Sequence, residues 1–234
     1  MNISPDQIKI WQWGPITLNA TILFTLVVTT LIVFVSYLVT RQLSGDIKVS
    51  PGQNLLEVLV QGVRDQIHEI NGQNPDPFLP FAGTLFIFIA VSNLLSVVPG
   101  YHPPTGSLST TAALAICVFV AVPVYGIWQA GLWGYLKHYI QPYPFMLPFQ
   151  IIGELSRTLS LAVRLFGNVM SDTMIVAILL SIAPLFFPII MEALGLLTGL
   201  IQAYIFAVLA IVYIASAIEA EDIQQPEQRN TSHG

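Results

Sequence analysis

Arg157, Arg164, Asn168, Ser171 and Asp172 stand in the run "RTLSLAVRLFGNVMSDTMIVAILL", residues 157–180, which is otherwise apolar enough for a lipid bilayer. A guanidinium at the middle of a membrane helix costs about 2.5–3.5 kcal/mol on insertion scales. Something must offset that cost: a counter-charge, a water-filled crevice or a partner protein. On a helix each residue turns the chain by about 100°, so with Arg157 at zero Arg164 falls near −20°, Asn168 near +20° and Ser171 near −40°, while Asp172 and Glu154 both fall near +60°. These residues form one polar stripe, suited to meeting something other than lipid. Asp172 lies about 12 Å from Arg164 along the axis and Glu154 about 15 Å, too far for a direct bond. The counter-charge of Arg164 must therefore come from another helix or another protein. Arg157, nearer the start of the helix, reads equally well as a side chain that snorkels to the headgroups. A later apolar run adds Glu192, Gln202 and the spacing Gly195-x-x-x-Gly199, which lets another helix approach closely.

The elements that must position this stripe are membrane helices. The chain has 234 residues, 54% hydrophobic and 9% charged, with mean hydropathy +0.72. A soluble domain carries about 25% charged residues, so this sequence has too little polar surface to coat a globule in water. The expected fold is all-α: a single integral membrane domain over 1–234 with five transmembrane helices, near 16–40, 81–98, 108–136, 149–183 and 188–219. The last two exceed the roughly 20 residues an upright span needs and are expected to tilt. Residues 54–70 repeat apolar positions at helical spacing against a charged face, which predicts an amphipathic helix on the membrane surface. Pro123 suggests a kink in the third span, and the acidic tail after the fifth reads as solvated. Trp11 and Trp13 read as interface anchors of the first span, and no cleavable leader is expected.

Positive charge sets the expected orientation. Arg41, Lys48, Arg64, Lys137 and Arg229 all fall on one side, with Lys9 the outlier. The N-terminus is then outside and the C-terminus cytoplasmic. Other classes are disfavoured. Eight Lys plus Arg form no basic patch for nucleic acid. His68, His102, His138 and His233 fall in loops or at interfaces rather than paired for haem. No phosphate loop and no metal cluster is visible, so no cofactor or metal is expected. Cys117, the single cysteine, reads as a small buried hydrophobe.

"SLAVRLFGN" followed by "IQAYIFAVLAIVYI", with "SNLLSVVPG" in the second span, resembles subunit a of F-type ATP synthases. The resemblance covers nearly the whole chain. It implies a stator subunit, not an enzyme on its own and binding no nucleotide, whose last two helices curve against a rotating ring of c-subunits. The other implied partners are b-type peripheral stalk subunits, the F1 sector through that stalk, and membrane lipid, in a bacterial inner membrane. Arg164 matches the family's essential arginine. Ser160, Asn168 and Gln202 match polar positions near it, and Asn93 matches the asparagine of the second span. Glu154, Asp172 and Glu192 are further candidates for the two ion half-channels.

Two positions depart from the pattern. Many proton-translocating members carry a carboxylate nine residues after the arginine, where this chain has Thr173 with Asp172 one step before. Some pair it with a histidine seven residues before the glutamine, where this chain has Gly195 with Glu192 one turn earlier. The carboxylate of the outer half-channel thus stays open between Asp172 and Glu192. "VMSDTM" and "IIMEALG" look more like the alternative N-type branch, some members of which move Na⁺. The implied function is coupling of H⁺ translocation to ring rotation and to ATP synthesis or hydrolysis, with Na⁺ as the alternative ion. A stand-alone ion channel or transporter is the rival, and it would need a complete polar path within this chain.

Overall fold

A computed structural model describes residues 9–13, 16–41, 57, 60–66, 68–69, 77–98, 100–140, 147–182 and 187–222. Five helices dominate it: α1 (Ala20–Thr40), α2 (Leu79–Leu94), α3 (Leu108–Ile140), α4 (Leu147–Ile182) and α5 (Phe187–Asp222). Each carries a stretch long and apolar enough to cross a membrane. The all-α membrane architecture is therefore what the chain adopts, with one addition. Lys9–Trp13 (β1) and Ile16–Asn19 (β2) pair as a short antiparallel hairpin. Residues 16–19, expected to open the first span, belong to that hairpin, and α1 begins at Ala20. The reason is local: "WQW" and "ITLN" alternate apolar and polar residues, the period of a strand, and the pairing is irregular between Lys9 and Trp11, where two apolar residues adjoin.

The surface segment expected over 54–70 is described in part; residues 57, 60–66 and 68–69 are helical and its other residues lie outside the described set, as does the tail beyond Asp222. Val63 of this segment packs against a cluster of Phe78, Ala82, Ala121, Val122, Ile211 and Ile214, contributed by the start of α2, by α3 and by α5. The segment thus rests on the helix bundle as well as facing outward.

In α3, Pro123 lies within the helix, and the departure from helical angles falls at Gly131 (φ 77, ψ 159). Only glycine adopts that φ without strain. A membrane-length apolar stretch, Leu108–Trp128, ends just before it.

Helices α4 and α5 each run for 36 residues, about 54 Å of rise against a hydrocarbon core of about 30 Å. Such helices fit a bilayer only when tilted or with their ends in the headgroups. The core joins four helices: Leu85 and Ile89 from α2, Ala115 and Val118 from α3, Leu161 and Leu165 from α4, Ala203, Phe206 and Ala210 from α5. Lipid tails are as apolar as these side chains, so association rests on close fit rather than on water exclusion. Ala162, Ala203, Ala207 and Ala210 are buried and give that fit. The 98–107 connection also enters the packing. Pro104, Thr105 and Gly106 form one tight turn, all three residues are buried, and the turn touches α1, α2, α3 and α4.

Candidate functional site

Helix α4 carries the stripe read from the sequence. Arg157, Ser160, Arg164, Asn168, Ser171, Ile175 and Ile178 are all exposed, whereas Leu161, Ala162, Leu165 and Val169 are buried. Arg164 therefore lies on the face of α4 turned away from the core. Among the described residues Arg164 has no ion-pair or hydrogen-bond partner.

Helix α5 runs back along α4 in a fixed antiparallel register. Arg157 places its guanidinium 5.6 Å from the centre of the Tyr213 ring. Asn168 Nδ2 donates to Gln202 Oε1 at 2.8 Å. Thr198 Oγ1 donates to Asp172 Oδ2 at 2.9 Å. Every step up α4 equals the step down α5 between these pairs. On the same register the position facing Arg164 is Phe206, fully buried. Arg157, Asn168 and Asp172 each have a partner on α5, and Arg164 has none among the described residues.

Two cavities flank Arg164, and it lines neither. One, of about 10 Å³, is lined by Glu154, Arg157, Thr158 and Tyr213 with Val118, Phe119 and Val122 of α3. That is room for about one water molecule. The other, of about 680 Å³, lies toward the 98–107 connection, with Asn93, Tyr101, Asn168, Asp172, Thr173 and Glu192 in its wall. Its carboxylates come from both long helices. Glu192 is exposed and Asp172 half-buried. The Asp172 carboxylate lies against Gly195, its Oδ2 3.5 Å from the ideal Cβ position, an ordinary contact distance.

Asn93 is buried in the wall and bonded at both ends of its amide. Its Nδ2 donates to the Gly199 carbonyl at 3.0 Å, and its Oδ1 accepts from Thr105 Oγ1 at 2.8 Å. Tyr101 reaches inward beside Ser92. Burial pushes its phenol well above the ordinary range, and the Ser92 hydroxyl offsets part of that rise. The two hydroxyls are buried without a fully formed hydrogen bond. Gln202 is 2% exposed, and its Nε2 has no partner among the described residues. The Gln202 amide is thus committed to Asn168 on one side and open on the other.

The structure brings Asn168 to Gln202, and gathers Asp172, Glu192 and Asn93 around one cavity. Glu154 lies at the other cavity, Ser160 stands on the exposed face one turn before Arg164, and Arg157 is stacked on an aromatic ring rather than left to snorkel. Thr198, Thr105 and Tyr101 were not singled out from the sequence. Thr198 carries a readable signal, since it stands four residues before Gln202 on the same helical face.

The family model described as ATP synthase A chain matches residues 22–215. ATP synthase subunit a 2 of Acaryochloris marina (strain MBIC 11017) is 62% identical over 234 residues, covering 100% of both chains. ATP synthase subunit a of Albidiferax ferrireducens (strain ATCC BAA-621 / DSM 15236 / T118) is 58% identical over 217 residues, covering 93% of this chain and 94% of its own. ATP synthase subunit a 1 of Crocosphaera subtropica (strain ATCC 51142 / BH68) is 57% identical over 221 residues, covering 94% and 96%. With a matched segment that takes in the second, third and fourth membrane stretches whole and nearly all of the first and fifth, this chain belongs to the ATP synthase A chain family.

Proposed function

We propose that this chain is the ion-translocating stator of the membrane sector of an F-type ATP synthase, and that it moves H⁺ through two half-channels separated by Arg164. The observation that carries the reading is the placement of that guanidinium: exposed, unpartnered among the described residues, and between two cavities it does not line. The larger cavity is the half-channel open to the outside and the smaller one the start of the cytoplasmic half-channel. In this reading the N-terminus is outside, the C-terminus is cytoplasmic, and the membrane is a bacterial inner membrane.

The physics is differential charge stabilisation. Each c-subunit carries a carboxylate at mid-membrane, which faces lipid only when neutralised by its cation, because a bare charge there costs too much. When the ring brings that carboxylate to Arg164, the fixed positive charge favours the ionised form and expels the cation. The guanidinium stays protonated throughout. The cation leaves by one half-channel and the site reloads from the other. The same charge stops a cation from passing directly between the cavities. A potential of about 100 mV supplies about 2.3 kcal/mol per charge, so several ions serve each ATP and a leak uncouples the machine. The c-ring, the b-type stalk and, through it, the F1 sector are the partners this reading requires.

The test is Arg164→Ala in the assembled complex, reconstituted in vesicles. Loss of both ATP-driven pumping and gradient-driven synthesis is expected. Arg164→Lys keeps the charge without the planar fork and is expected to be severely impaired. Pumping by Arg164→Ala at the unmodified rate would refute the reading.

A further inference from the structure

We propose that Asn93 is a positioning residue for the outer half-channel: with Thr105 and Gly199 it locks the height of α5 against α4, and so sets where Asp172 and the Asn168–Gln202 pair stand. This rests on the stator reading above.

A residue that holds two helices at one height needs both ends of its amide engaged with them. Asn93 Oδ1 already accepts from Thr105 Oγ1 at 2.8 Å, and Thr105 is fully buried. Its Nδ2 donates one of its two hydrogens to the Gly199 carbonyl on α5. Asn93 itself is 5% exposed. The side chain bordering the cavity is therefore a tie between helices.

The tie has a defined register. A Cβ at Gly199 would lie 2.9 Å from the Asn93 Cβ, closer than such atoms come in real proteins. Sliding α5 by one residue, about 1.5 Å and 100°, would bring a side-chain-bearing residue to that contact. Only glycine fits, and the next glycine, Gly195, is four residues away, so the contact resists any slip shorter than a full turn. Thr198, next to Gly199, then meets Asp172. Gln202, almost one turn further on, meets Asn168. The same turn that supplies Thr105 also holds α4: the missing side chain of Gly106 leaves room for Val169, whose Cγ1 is 3.3 Å from the ideal Cβ position. Val169 lies between Asn168 and Asp172. One buried turn thus grips α4 directly and α5 through Asn93, at the level of the large cavity. Nothing in this tie reaches the small cavity near Glu154.

That one-sidedness gives the test. The purified complex in proteoliposomes is assayed in both directions with proton concentration varied on one face at a time. Asn93→Leu and Thr105→Val are expected to raise by about tenfold the outer-face proton concentration that half-saturates ATP synthesis, with the maximal rate changed much less. The cytoplasmic-face concentration that half-saturates ATP-driven pumping stays as in the unmodified complex. Thr105→Ser, which keeps the hydroxyl, restores the outer-face value. Should Asn93→Leu fail to assemble, the two Thr105 variants decide the matter. Equal shifts at both faces, or lower maximal rates with both half-saturation points unmoved, would overturn the proposal. Arg164→Ala in the same preparation reports on the stator reading separately, because it removes transport in both directions whatever Asn93 does.

Discussion

At the scale of single residues, the side chains differ in how completely their polar atoms are matched. Asp172 accepts from Thr198, and a hydrogen bond to a charged group contributes about 1.5–3 kcal/mol. Thr198→Val has nearly the same shape without the donor. It is expected to lower gradient-driven ATP synthesis by about tenfold, and Thr198→Ser to recover most of it; an unchanged rate for valine would show that Asp172 does not depend on this hydroxyl. Arg157 is held by the face of an aromatic ring, a contact of about 0.5–2 kcal/mol depending on desolvation. Tyr213→Phe keeps the ring and should leave the thermal stability of the complex as it was, whereas Tyr213→Leu should lower it, as read by the melting temperature of the purified assembly. The stripe of Arg157, Arg164, Asn168 and Ser171 was legible in the sequence because it needs only the fixed turn of a single unbroken helix. The partners of those residues were not. Asn93 and Gly199 are 106 positions apart, and no periodicity within one helix states the height at which another helix meets it.

At the scale of elements, α4 and α5 act as one antiparallel pair, and the two glycines of α5 divide the work of bringing neighbours close. Gly195 faces the flexible end of Asp172, where an added Cβ would sit at ordinary contact distance, while Gly199 faces the anchored Cβ of Asn93. Gly195→Ala is accordingly expected to assemble normally. Gly199→Ala forces a shift in a close-packed contact, at a cost of about 1–3 kcal/mol, and should reduce the yield and melting temperature of the intact complex. Equal behaviour of the two variants would mean that the α2–α5 approach is looser than these distances state. The sequence displayed the Gly-x-x-x-Gly spacing but not which helix each glycine faces. It likewise concealed the hairpin at 9–13 and 16–19: its second strand is apolar enough to read as the start of α1, and its tryptophans as interface anchors. Gly131 was hidden in the same way, since a glycine in an apolar run marks a break only when the chain takes a positive φ there.

At the scale of the whole molecule, the chain is built for a partner. The face of α4 that carries Arg164 is exposed, and so are the apolar residues of α5 beside it, Leu194, Leu197 and Ile201. On the stator reading proposed above, a passing carboxylate offsets the guanidinium. In the isolated chain no described residue supplies a counter-charge, and the register-mate of Arg164 on α5 is the buried, apolar Phe206. Stability and function therefore pull this position in opposite directions. Arg164→Leu removes a charge that costs about 2.5–3.5 kcal/mol at the centre of a membrane helix. The isolated subunit in bilayer discs is expected to become more resistant to unfolding by an amount of that order, while the complex built from the same variant no longer transports ions. Both halves are measurable on one protein: an unfolding curve of the subunit alone, and vesicle pumping by the assembly. A subunit destabilised by leucine would mean that Arg164 finds its counter-charge within its own chain. The gate would then be a structural ion pair, and the face of α4 would need a different occupant from a ring of carboxylates.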